Sequence, residues 1–162
     1  MTDAVIQYRD GCKYQLQQTY RVQTPFKGMA FKRRWSSLDD NGVMTLREGL
    51  AWNGASGPTI DSPPSIHPSG EHDELYGAIE TGDLFDGFNW TKRKVEAFRI
   101  RRRIDLFFCR RLIECGMAKW RANAWLWGVR KFGASHAVPG KKQEVHTAPA
   151  GKSVIEILPA AA

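Results

Sequence analysis

Residues 92–116 read KRKVEAFRIRRRIDLFFCRRLIECG. Val95, Phe98, Ile104, Phe107, Phe108, Leu112 and Ile113 recur at helical spacing, with arginines between them. Phe98, Arg101, Asp105, Phe108 and Leu112 follow steps of three and four, so they share one face. A carboxylate in the middle of an aromatic stripe is costly unless a partner meets it. A chain with this helix must therefore fold so that another element covers the stripe and a donor reaches Asp105. Arg101, four residues earlier, is the candidate on the helix itself. His72, in the segment HDELY before it, is the candidate from outside.

The rest of the chain is organised around that helix. KYQLQQTYRVQT alternates polar residues with Tyr14, Leu16, Tyr20 and Val22, which suits half-buried strands. LDDNGVMTLREGLAW holds an Asp39-Asp40-Asn41-Gly42 turn between two apolar runs, a hairpin signal. Residues 53–68, with two glycines and four prolines, read as loop. A helix is predicted from Ser69, its cap, to about Gly82. Thr91 is the predicted cap of the long helix and Gly116 its stop. AKWRANAWLWGVRKFG makes a further helix, with Trp120, Trp125, Leu126 and Val129 apolar and Gly133 at its end. The fold class is α+β: an N-terminal antiparallel β part, then three packed α-helices and an extended C-terminal tail. Residues 1–133 are expected to form one domain, and 134–162 a linker and tail peptide, in which SVIEIL is a short added strand or a docking peptide.

Charge is unevenly spread. Residues 1–91 hold 8 Lys/Arg against 12 Asp/Glu, whereas residues 92–134 hold 13 against 3. The basic segment suggests an anionic partner, either phosphate backbone or lipid head groups. Nucleic acid rests on that charge and on interleaved tryptophans alone, and the tryptophans are assigned to the core. No window is long and apolar enough to span a bilayer, and the polar start MTDAVIQYRDG carries no apolar signal core. A host cytoplasm, or packaging from it, is the expected location. Cys12, Cys109 and Cys115 are odd in number and lack a CxxC pair, so they read as reduced thiols.

The candidate site follows from Asp105. Two helices joined by a loop of about ten residues pack as antiparallel neighbours, which brings His72 to Asp105. A carboxylate bonded to one imidazole nitrogen fixes the tautomer and leaves the other free to take a proton. Tyr76, one turn after His72, is placed to hydrogen-bond Asp105. Asp73 points about 100° away from His72 on a helix, toward Asn53, Gly54 and Gly57 of the preceding loop. A carboxylate with loop oxygens suits calcium. Water activated by His72 against an oxyanion held by calcium would be ester hydrolysis.

The motifs WNGASGP (52–58), HDELY (72–76), RRRIDLFF (101–108) and WGVRKFG (127–133) occur here in order. In that order the chain resembles a small-protein family of tailed phages and prophages whose function is unknown. The resemblance covers roughly residues 10–133 and implies a phage or prophage origin. The family loop has Asp-Gly where this chain has Asn53-Gly54, which removes a charge from any metal site. HDELY also resembles the HDxCY helix of secreted phospholipase A2. By that likeness His72 is the base, Asp105 its orienter, Tyr76 a support and Asp73 a calcium ligand. The disulfide framework of that family is absent, and Leu75 stands where it has Cys.

These features support two main expectations. One is a non-enzymatic, virion-associated structural or accessory component on a phospholipase-like scaffold, meeting other phage proteins through 135–162, with Val154, Ile155, Ile157 and Leu158 as contacts. Asn53 favours it. The other is a calcium-dependent esterase acting on bacterial lipid, with the basic helix 92–115 against anionic lipid. Asp105 favours it. A metal phosphohydrolase site of His67, His72, Asp73 and Asp105 is a third expectation, opposed by His67 lying in a loop.

Overall fold

The computed structural model describes residues 12–54, 62–84 and 90–133, together with the backbone of two strands at 6–8 and 146–148. It divides into two compact units, Cys12–Lys141 and Met1–Gly11 with Lys142–Ala162. In the second unit β1 (Ile6–Tyr8) pairs antiparallel with β8 (His146–Ala148), Gln7 opposite Thr147. The strand at Ile6–Tyr8 is thus paired with one from the region after residue 133. The SVIEIL segment lies outside the described residues.

The larger unit is α+β, with antiparallel strands followed by three helices. β2 (Tyr14–Gln15) pairs with β7 (Ala51–Trp52). β3 (Tyr20–Gln23), β6 (Val43–Leu46), β5 (Ser36–Leu38) and β4 (Phe31–Lys32) form a four-stranded sheet in that spatial order. The Asp39–Gly42 turn joins β5 to β6 as predicted. Gly42 takes φ 81°, and a Cβ there would sit 2.9 Å from the Thr24 carbonyl oxygen, so only glycine fits. One sheet face carries Val22, Met44, Leu38 and Phe31 in register and turns them to the core.

Helix α1 spans Pro63–Thr81, beginning six residues before the predicted start. The two prolines at its start are not breakers there, because first-turn amides have no helical acceptor anyway. Ser65 Oγ accepts the Ser62 N–H at 2.9 Å and caps the end. Ser69, the predicted cap, lies inside the helix, where its hydroxyl donates to Ile66 O and accepts from Trp52 Nε1 at 3.1 Å. That bond ties the loop entry at Trp52 to α1. His67 is likewise on the helix, not in a loop.

α2 (Trp90–Glu114) packs against both α1 and α3 (Lys119–Phe132). Gly116, φ 98°, ends α2 as expected, with the Gly116 N–H on Ile113 O and the Met117 N–H on Leu112 O. Leu75 and Ile79 of α1, Ile100, Ile104 and Phe107 of α2 and the inner sheet face share one core. Phe108, Leu112, Met117, Ala122 and Trp125 form a second cluster between α2 and α3. Each fully buried aliphatic or aromatic side chain contributes roughly 1.5–3 kcal/mol.

The buried stripe of α2 runs through Ala97, Ile100, Arg101, Ile104, Asp105, Phe108 and Leu112. Val95 and Phe98 fall just outside it and are exposed, contrary to the helical pattern read from sequence. The Phe98 ring is instead flanked by the guanidinium groups of Arg101 and Arg102, at 5.3 and 5.6 Å. The assignment of tryptophans to the core holds for Trp52 and Trp125 but not for Trp35, Trp120 (75 % exposed) or Trp127 (60 %). Among the described residues α3 packs mainly on α2, and the side chains on its far side are exposed. Cys12, Cys109 and Cys115 are free thiols. Among the described residues no helix is long and apolar enough to cross a membrane.

Candidate active site

The helix pairing brings the predicted dyad together. Asp105, fully buried on α2, accepts from two α1 side chains at one oxygen. His72 Nε2 lies 3.3 Å from Asp105 Oδ1, and the Tyr76 hydroxyl donates to the same oxygen at 2.5 Å. His72 and Tyr76 are one turn apart, so their rings lie against each other with centroids 4.0 Å apart, and Phe108 closes the other side of the imidazole at 4.7 Å. His72 is 7 % exposed. Gly133, at the end of α3, backs onto Tyr76: a Cβ there would lie 3.2 Å from the phenol oxygen. The closing residue of the VRKFG motif therefore abuts the site, and its φ of −71° shows that packing, not backbone conformation, calls for glycine.

The electrostatics are those of a histidine between two carboxylates. Asp73 Oδ1 stands 3.9 Å from His72 Nδ1. Asp73 thus turns toward the imidazole, not sideways toward the loop as its position in the helix suggested. Burial alone would lower the His72 pKa, but the hydrogen bond to Asp105 and the Asp73 carboxylate outweigh it, and the pKa rises above 6.5. Burial, then the adjacent Asp105 charge, pushes the Tyr76 pKa up, so the phenol stays protonated and donates.

Arg101 does not form the ion pair with Asp105 that its i−4 position suggested. It is buried, and its Nε and Asp105 Oδ2 are both without a hydrogen-bond partner among the described residues.

The loop residues fit calcium less well. Gly54 is buried with φ 82°, Asn53 is exposed, and its Oδ1 accepts the Lys13 N–H at 3.3 Å. Gly57 lies outside the described residues. Calcium takes six to eight oxygens, commonly with several carboxylates. Of the proposed set Asp73 is the one carboxylate, and it stands 3.9 Å from His72 Nδ1, so its described members do not make up a calcium cage. His67 stacks on Tyr20, with centroids 5.4 Å apart, and no group of three or more metal-ligating side chains occurs among the described residues.

Sequence reasoning missed a second buried polar group beside the first. Glu71 is 1 % exposed and takes a two-pronged bond from Arg111, Nε to Oε2 at 2.9 Å and Nη2 to Oε1 at 3.0 Å. Tyr20 of β3 donates to the same carboxylate at 3.4 Å. Farther along α1, Glu74 accepts from Ser36 of β5 and from Arg33. The signal for Glu71 was available: it lies four residues before Leu75 and eight before Ile79, an acid on the apolar stripe of α1, as Asp105 is on α2.

No protein-family model, curated protein or solved structure matches this chain.

Proposed function

We propose that this chain is a phage- or prophage-encoded hydrolase in which His72 is the general base for ester cleavage. One observation carries the reading: buried Asp105 accepts from both His72 and Tyr76 at a single oxygen. With Nε2–H held on Asp105, Nδ1 is the basic nitrogen. Nδ1 takes a proton from water as the water oxygen bonds to the acyl carbon. The carbon–oxygen bond of the ester then breaks, and His72 returns the proton to the departing alkoxide. Tyr76 holds Asp105 in place. No step passes through calcium. The order of the four motifs supports the phage origin. The exposed Arg99, Arg102, Arg103 and Arg110 of α2, beside exposed Val95, Phe98 and Leu106, support anionic lipid as the source of the ester.

The second reading is a non-enzymatic virion component. The Asp73 carboxylate near Nδ1 favours it, because an imidazolium clamped by two carboxylates is a structural tie. Release of fatty acid from anionic phospholipid vesicles, by purified protein and by His72→Gln, decides between the two, with and without added calcium. The hydrolase reading expects release that His72→Gln abolishes. No release in either condition, with the protein at fixed stoichiometry in purified particles, rejects it in favour of the virion component.

A further inference from the structure

The outer face of the four-stranded sheet carries a second feature, remote from His72 in function and composition. Arg21 on β3 lies opposite Thr45 on β6, Thr45 opposite Ser37 on β5, and Ser37 opposite Lys32 on β4. The register therefore lines up Arg21, Thr45, Ser37 and Lys32 in one transverse row. Alternation along each strand sends this row away from the core, since the neighbouring row of Val22, Met44, Leu38 and Phe31 faces inward. Arg47 follows Thr45 by two residues, so it shares the outer face. Its guanidinium is fixed by bonds to Ser37 Oγ at 3.2 Å and Arg33 O at 3.3 Å. A cavity of about 570 Å³ lies over these residues.

The charge there is one-sided. Among the described residues lining the cavity, Asp39 is the one acid beside Arg21, Lys32 and Arg47, and its Oδ1 already accepts the Val43 N–H at 2.8 Å. Among the described residues none of the three cations forms an ion pair. Between the cations stand two hydroxyls, which donate to phosphate and sugar oxygens as readily as to water. Trp35, just before β5, is exposed, with the Arg34 guanidinium 4.7 Å over its ring. Its carbonyl accepts the Arg47 N–H at 2.8 Å, so an aromatic surface adjoins the cationic face.

The span of the row selects the ligand. Three steps between strands at about 4.8 Å each separate Arg21 from Lys32 by roughly 14 Å. One phosphate cannot reach both ends, whereas a polyanion with charges repeated along a strand can. A bilayer surface is flat and rewards inserted apolar side chains, and the cationic face here is concave. Cations tracking a backbone, with a ring for base stacking, are the means by which proteins hold single strands without reading sequence. We infer that the outer face of the β3-β6-β5-β4 sheet binds single-stranded nucleic acid through its phosphates, with Arg21, Lys32 and Arg47 as the cations. This site stands apart from the proposed hydrolase, and neither depends on the other.

The probe is a labelled oligothymidylate of about 12 nucleotides, within the usual range of single-strand site sizes, followed by fluorescence anisotropy over a series of salt concentrations. The full chain binds at low salt. Arg21→Glu with Lys32→Glu weakens binding at least about tenfold and lowers the log–log salt slope by about 1.4, two contacts at about 0.7 each. Arg21→Gln with Lys32→Gln lowers the slope by the same amount without reversing charge, and an unchanged melting temperature in either pair shows that the fold is kept. Arg99→Glu with Arg102→Glu, on α2, leaves the affinity within about twofold and the slope unchanged. Absence of binding at low salt overturns the inference, as does loss of binding with the α2 pair alone. Binding of phosphatidylglycerol vesicles that needs Arg21 and Lys32, without binding of the oligonucleotide, overturns it in favour of a membrane contact.

Discussion

Glu71 and Arg111 are joined by two parallel bonds across α1 and α2, one residue from His72 and two turns from Asp105. The pair sets the rotation of α1 against α2 at the end of the site where Tyr20 also reaches in. Glu71 is almost wholly buried, and Arg111 is the cation that meets it there. Removing one member of a buried pair leaves an uncompensated charge and costs about 3–5 kcal/mol. Arg111 keeps some exposure, which places Arg111→Ala near the lower end, about 3 kcal/mol. Replacing both residues with Met should cost much less, because no charge is then stranded. Urea denaturation of the two variants checks this: equal losses would mean that the pair itself, not a stranded Glu71, carries the stability.

Stability should fall as pH rises from neutrality, and His72 should be the cause. A histidine whose folded-state pKa is raised holds its proton more tightly folded than unfolded. The stability so contributed is complete below its ordinary 6.5 and is lost as pH climbs through the raised value. Melting temperatures measured from below 6.5 into the alkaline range should converge for wild type and His72→Gln as pH increases. Hydrolysis should move the opposite way across the same window, because the base works deprotonated. A melting-temperature gap that widens with pH would contradict the two-carboxylate environment.

Asp105→Asn tests the orienting role. The amide keeps the shape but can accept His72 Nε2–H only through its oxygen, and its NH2 can equally face the ring and favour the wrong tautomer. A change of this kind in a dyad costs about four orders of magnitude in rate. A variant that stays folded, by near-ultraviolet circular dichroism, and keeps full esterase activity would remove Asp105 from the catalytic reading.

Tyr76→Phe removes one donor to Asp105 and leaves the ring packing against His72 intact. A hydrogen bond to a charged group contributes about 1.5–3 kcal/mol. A loss in that range is expected in chemical denaturation, with a much smaller loss of activity than Asp105→Asn, because the His72 bond survives. A rate loss as large as that of His72→Gln would give Tyr76 a direct part in the chemistry.

Gly42→Ala should destabilise the β5–β6 hairpin. The residue takes φ 81°, and the added Cβ meets the Thr24 carbonyl at 2.9 Å, so conformational strain and a backbone clash combine. Strain of the first kind alone costs about 1–2 kcal/mol. A thermal shift near zero would mean that the Asp39–Gly42 turn relaxes without cost.

Several features were readable from residue order because their causes are local. The α+β order, the Asp39–Gly42 hairpin and the Gly116 stop depend on residues within a few positions of one another. Asp105 was legible for a similar reason: an acid on an apolar stripe announces a buried partner, and the short interval to HDELY named His72. The same rule applied to Glu71 would have exposed the second polar group, but Arg111, forty residues away, has no local mark.

What local pattern could not decide was decided by packing. Periodicity placed Phe98 and Val95 on the stripe of α2, yet the buried face sits one step round the helix, because α1 and α3 together determine which arc is covered. Pro63, Pro64 and Pro68 read as loop and are helical: the first two occupy a turn whose amides lack acceptors, and the third is fully buried inside the helix. Asp73 was placed by helix geometry alone, but the field of a buried imidazole draws its side chain to His72. The cationic row on the sheet was invisible in sequence, because Arg21, Lys32, Ser37 and Thr45 meet only through strand register, and register is a property of the folded sheet.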